Sequence, residues 1–178
     1  RLGMVLEKNH VQFFTAVCYN WLKLLDSDEA KLIIIESLKF RIAQGQVKVG
    51  AYVIMPNHLH IVWRIQNDFK LENVQRDFLK FTAKKIIERI IQLDGQKKLE
   101  EIYVGAKDRT SQVWKRDSLS IDLFSDKFVR QKTDYIHNNP CQPHWDLAKH
   151  PIEYRFSSSN FYETGVDEFG IITHLDEL

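Results

Sequence analysis

The sequence predicts an α/β sandwich of the α+β kind: a ferredoxin-like or RRM-like, mostly antiparallel sheet with helices packed on one face. Three observations carry this. Strand-like and helix-like segments follow one another as strand, helix, hairpin, helix, strand, helix. The two strands of the hairpin are separated only by Pro56-Asn57, which implies antiparallel pairing. A hydrophobic content of 44% with 28% charged residues over 178 positions suits one packed core.

Each element has its own signal. Val11 to Tyr19 (VQFFTAVCY) is aromatic and β-branched and reads as a strand. Asp26 opens a helix, with Glu29 completing a D-x-x-E capping box. Leu32, Ile33, Ile35, Leu38, Phe40 and Ile42 give it a broad apolar stripe, and Gly45 stops it. Gln46 to Met55 and His58 to Ile65 form the hairpin. Leu71 to Leu93 is a long helix whose buried side holds Val74, Phe78, Phe81, Ile86, Ile87, Ile90 and Ile91. Lys97 to Ser111 reads as a polar loop and Gln112 to Arg116 as a short strand. Ser125 caps a third helix running to about Asn138 and closed by Asn139-Pro140. About 151–178, with Pro151 and a Ser-Ser-Ser run, reads as an extended tail wrapping a single domain that spans 1–178.

Composition removes several classes. Lys+Arg 25 against Asp+Glu 24 leaves a net charge of +1, so a nucleic-acid surface has to come from local clustering. Two cysteines, Cys18 and Cys141, exclude a disulfide framework and a Cys-rich zinc site. No apolar run reaches the roughly 20 residues that span a bilayer. A cytoplasmic setting is the default expectation. Because the chain opens on Arg1, the lack of a leader carries little weight, and the terminal Leu175-Asp176-Glu177-Leu178 is read as a chance match to an ER-retention signal.

Two local patterns can carry chemistry. In His58-Leu59-His60 the strand period puts both imidazoles on one sheet face, where they can share a divalent metal. The pair also reads as two independent polar residues at a sheet rim. Asp134-Tyr135-Ile136-His137-Asn138-Asn139-Pro140 ends a helix, and Tyr135 and Asn139, four apart, share a face if the last turn holds before the proline. Taken alone this is a helix C-terminus with a core tyrosine.

Together, MPNHLHIVW and DYIHNNP resemble the single-tyrosine HUH transposases of insertion sequences, in particular the REP-associated tyrosine transposase branch. The resemblance extends to FFTAVCYNW, KFTAKKI, VWKRDS and EYRFSSSNFY, in the expected order. It implies an HUH motif on a central strand, with His58, His60 and Asn139 as ligands of Mg²⁺ or Mn²⁺ and Tyr135 as nucleophile. It also implies cleavage and rejoining of single-stranded DNA beside hairpins through a 5′-phosphotyrosine. The assembly is then either a self-contained chain or a homodimer with exchanged active sites. Two other readings stay open: a domesticated relative that binds or nicks hairpin DNA without transposition, and a metallohydrolase built on the H-x-H pair.

Charge is segregated along the chain. Residues 70–98 hold eight basic against four acidic residues, whereas 151–178 hold one against six. Arg76, Lys80 and Lys84 follow one another at i, i+4, i+8 with Lys85 beside them, a helix face that can track phosphates. Lys115, Arg116, Arg130 and Lys132 lie near the Tyr135 helix in sequence and are the other candidate DNA contacts. Trp63, Trp114 and Trp145 are read as core before base-stacking residues.

Overall fold

The computed structural model describes residues 9–178. Four strands, β1 (Val11–Val17), β2 (Val47–Ile54), β3 (His58–Ile65) and β4 (Leu119–Leu123), form an antiparallel sheet in the order β2-β3-β1-β4. The helices are α1 (Asp28–Ala43), α2 (Leu71–Gln92), α3 (Gln96–Ile102), α4 (Asp126–Asn138) and α5 (Ser159–Thr164). This is the expected α+β fold with a mostly antiparallel sheet. No helix among the described residues is long and apolar enough to cross a membrane.

The central strands are apolar on both faces, so both must be covered. On one face Phe14, Leu59, Ile61 and Trp63 pack with Ile34, Ile35 and Leu38 of α1 and with Val74, Phe78, Ile86 and Ile90 of α2. On the other, Phe13, Val53, Val62 and Leu123 pack with Val129 and Ile136 of α4. The helices therefore do not all share one face: α4 covers the side opposite α1 and α2. Gly50 sits at a bulge in β2, where the register shifts between Val49 and Ala51. A Cβ there would lie 2.8 Å from side-chain carbons of Leu175 and Leu178. The terminal leucines, read from sequence as a chance signal, thus pack against the sheet.

Three boundaries move. Ser27, not Asp26, caps α1, its Oγ accepting from Ala30 N at 3.1 Å. The stretch read as a loop holds α3, whose Leu99 and Ile102 pack on the core; two apolar residues three apart are too few to show a helical period. The fourth strand is β4, not Gln112–Arg116. There Trp114 makes only an isolated bridge to Cys18, and its indole N–H donates to Thr82 Oγ1 at 3.0 Å. That bond joins the VWK and KFT segments.

Residues 151–178 include α5 and two 3-10 turns rather than a uniformly extended tail. They close the free edge of β2. Tyr154 Oη donates to Ile54 O at 2.6 Å, Ser158 N donates to Tyr52 O at 3.0 Å, and Tyr162 Oη donates to Gly50 O. Three tail residues spaced by four thus satisfy carbonyls that would otherwise offer a pairing edge.

Candidate functional site

β3 lies between β1 and β2, and its alternation places His58 and His60 on the face that α4 covers. Their rings are 4.9 Å apart, centroid to centroid, and both are buried. Asn139 follows α4 and retains helical backbone angles (φ −56°, ψ −46°) despite preceding Pro140. The chain tightens into a 3-10 turn over Asn139–Cys141, which keeps the last turn in register. Asn139 Oδ1 consequently lies 2.9 Å from His58 Nε2. Tyr135, one turn earlier, sets its ring edge-on to His60 at 5.7 Å and to Phe13 at 6.4 Å, and is 56% exposed. All four residues come from one chain.

Neighbours orient both imidazoles. Asn57 Oδ1 lies 2.7 Å from His58 Nδ1, and the Asn57 amide nitrogen donates to Trp21 O at 3.4 Å. Thr15 Oγ1 lies 2.8 Å from His60 Nδ1, and Phe13 stacks on the His60 ring at 5.2 Å. Burial lowers the His58 pKa from its usual value. Burial, then the charge of His58 and Lys132, brings His60 down to about 3. Both rings are neutral at neutral pH, the form that ligates metal. Asn57 is next to the motif and Thr15 faces it across the sheet, but only the register shows that these two hold it.

Two imidazole nitrogens and an amide oxygen are a donor set that a divalent cation can use, the imidazoles suiting borderline ions and the amide oxygen harder ones. Adjacent ligands of an octahedral ion with bonds of about 2.1 Å lie about 3 Å apart, as His58 Nε2 and Asn139 Oδ1 do. No group of three or more His, Cys, Asp or Glu side chains able to hold a metal exists among the described residues.

Three other tyrosines, Tyr52, Tyr154 and Tyr162, are engaged elsewhere. Tyr52 is buried in the core, and burial raises the pKa of Tyr154 and pushes Tyr162 up to about 12. His137 also lies outside the pair: its Nε2 is 2.7 Å from Ser158 Oγ, and burial brings it down to about 4.

Of the basic residues named above as candidate DNA contacts, only Lys132 joins this cluster, its Nζ 4.9 Å from the Phe13 ring centroid and 5.8 Å from that of Tyr135. Arg130 pairs with Asp176 at 3.0 Å. Lys115 lies with its Nζ 5.7 Å from the ring of Trp21, and Arg116 is exposed beside it. Arg76, Lys80 and Lys84 are exposed on α2, with Arg76 paired to Asp77 and Lys85 to Glu88. Since α2 packs on the other face of the sheet, this stripe and the histidine pair are separated by the sheet.

The chain thus places an H-x-H pair on an inner strand of a four-stranded antiparallel sheet, with a tyrosine-bearing helix over it, and shares this fold with solved transposase structures. Among solved structures, a REP-associated tyrosine transposase bound to a REP hairpin is similar at a TM-score of 0.65 and 18% identity, over 96% of this chain and 92% of that one. A candidate transposase of Deinococcus radiodurans R1 is similar at 0.51 and 13%, over 78% and 96%. No protein-family model and no curated protein matches the sequence.

Proposed function

We propose that this chain is a metal-dependent DNA strand transferase that cuts and rejoins single-stranded DNA beside hairpins, acting in the cytoplasm. The observation that carries the reading is the placement of Tyr135 against His60, one helical turn from the Asn139 that meets His58. The likeness to a transposase solved with a REP hairpin supports a hairpin-bearing substrate.

His58, His60 and Asn139 would hold Mg²⁺ or Mn²⁺. The bound ion would supply charge neutralisation on the phosphate. Tyr135 Oη attacks phosphorus, forming the Tyr–O–P bond while the P–O3′ bond breaks. The phenol gives up one proton and the departing 3′ oxygen takes one up, so the products are a 5′-phosphotyrosine and a free 3′-OH. Because the new ester keeps the phosphodiester energy, the reverse attack by a 3′-OH rejoins DNA. The Lys132 ammonium, 5.8 Å from the Tyr135 ring centroid, would offset negative charge on the phosphate.

The test is a denaturing gel with a hairpin-bearing single strand labelled 3′ of the cut. Wild type should form a covalent adduct that maps to Tyr135. Tyr135→Phe should bind the strand with unchanged affinity and form none. An adduct on another residue, or efficient cleavage by the Phe variant, overturns the reading.

A further inference from the structure

The loop after β1 holds Trp21 in a costly position. Asn20 and Trp21 both have left-handed backbone angles, φ 51° and 55°, a region that bulky residues rarely occupy. The ring gains no burial from this: it is 59% exposed and belongs to neither core cluster. What the conformation does provide is a carbonyl aimed at the site, since Trp21 O receives the Asn57 amide whose oxygen holds His58. It also sets the ring under the Lys115 ammonium, 5.7 Å from the centroid, with the rest of the ring open to solvent. A second Trp–Lys pair flanks His58, its indole half-buried against the core rather than exposed. The Trp145 ring is 5.8 Å from the His58 ring, and Lys23 Nζ is 5.9 Å from the Trp145 centroid.

An exposed indole beside an ammonium matches one unit of single-stranded nucleic acid, a flat base beside a phosphate. A duplex does not fit, because its bases are already stacked. We propose that Trp21 with Lys115, continued by Trp145 with Lys23, forms a binding track for unpaired nucleotides of the strand being cut. Trp21 stacks a base and Lys115 takes the adjoining phosphate. Asn57 ties this platform to His58, so a strand seated on it is positioned relative to the metal ligands. This rests on the reading of the site as one that cuts single-stranded DNA.

The experiment uses the full chain and fluorescence anisotropy of labelled oligo(dT), compared with an abasic strand of the same length. Stacking on one aromatic residue is worth roughly a tenfold to hundredfold in affinity. Wild type should prefer oligo(dT) over the abasic strand by about that factor. Trp21→Ala should lose most of the preference, Trp21→Phe should recover most of it, and Trp21→Ala combined with Trp145→Ala should bind both strands alike. Lys115→Ala should keep the preference but lower the log–log salt slope by about 0.7. Mn²⁺ binding should be the same in Trp21→Ala as in wild type, which shows that His58 has not moved. If wild type shows the preference and Trp21→Ala retains it, the track is refuted while the strand-transfer reading stands. If wild type forms the Tyr135 adduct yet binds the two strands equally, the track alone is again refuted. If wild type neither binds oligo(dT) nor forms an adduct, both fall.

Discussion

His58 Nε2 and Asn139 Oδ1, 81 residues apart in sequence, lie 2.9 Å from each other. The Asn57 amide donates its N–H to Trp21 O, so its oxygen is the atom facing His58 Nδ1. That oxygen can only accept, so with the shorter contact, 2.7 Å, protonated at Nδ1, the Nε2 lone pair is left for a ligand. A cation bound there would satisfy Nε2 and Oδ1 at once.

The first prediction concerns this pair. Mn²⁺ at about 100 times its Kd should add about 2.7 kcal/mol to stability. For a chain of this size that raises the unfolding midpoint by roughly 5–10 °C. EDTA should reverse the shift, and His58→Ala or Asn139→Leu should abolish it. Scanning calorimetry with and without metal decides the matter; a wild-type midpoint indifferent to Mn²⁺ contradicts the assignment.

A second prediction follows from the origin of the cluster in one chain. Tyr135 meets His60 of its own chain. Mixing His58→Ala protein with Tyr135→Phe protein should therefore restore no covalent adduct, at any ratio. Recovery on mixing would mean that partner chains exchange the tyrosine helix.

Much of this was legible in the sequence, for identifiable reasons. His58-Leu59-His60 obeys the two-residue strand period, so its common face needed no coordinates. Tyr135 and Asn139 needed only a helix that survives to the proline, and the 3-10 turn at Asn139–Cys141 supplies it. What sequence could not give was the partner of each face. The stripe of Arg76, Lys80 and Lys84 has the same period as any solvated helix face, and nothing local says which side of the sheet it covers. Likewise, Tyr154, Ser158 and Tyr162 serve carbonyls about 100 residues away, and Trp21 carries no pattern at all. Long-range pairings decide these, and they leave no trace in local spacing.

The third prediction is a pH dependence tied to His137. Its folded-state pKa lies near 4 against an ordinary 6.5. A depressed histidine contributes its full stability above the unfolded value. As pH falls below about 6.5 the unfolded chain takes up the proton first, and stability is lost until pH reaches about 4. Over that window the loss attributable to His137 is on the order of 3 kcal/mol. His137→Gln, which keeps an amide donor for Ser158, should flatten the stability–pH curve between those limits relative to wild type. Urea titrations at a series of pH values measure this; parallel curves for the two proteins would refute it.

The fourth prediction separates the two groups of basic residues. Lys132 stands over Phe13 and Tyr135, whereas Arg76, Lys80 and Lys84 lie on the helix behind the sheet. A phosphate attacked by Tyr135 is within reach of the Lys132 ammonium. A strand long enough only to cover the site cannot also reach α2 through the sheet. On such a short strand, Lys132→Gln should lower the log–log salt slope by about 0.7, one phosphate contact on single-stranded DNA. It should also slow adduct formation about tenfold, as expected when one cation is removed from beside developing charge in a half-open site. Replacing Arg76, Lys80 and Lys84 together by Ala should change neither quantity on that strand. On a longer substrate carrying a hairpin, the triple variant should lose affinity only if the duplex wraps round the sheet edge to α2. Equal salt slopes for wild type and Lys132→Gln, or a strong defect of the triple variant on the short strand, would place the DNA on the opposite face from the one argued for.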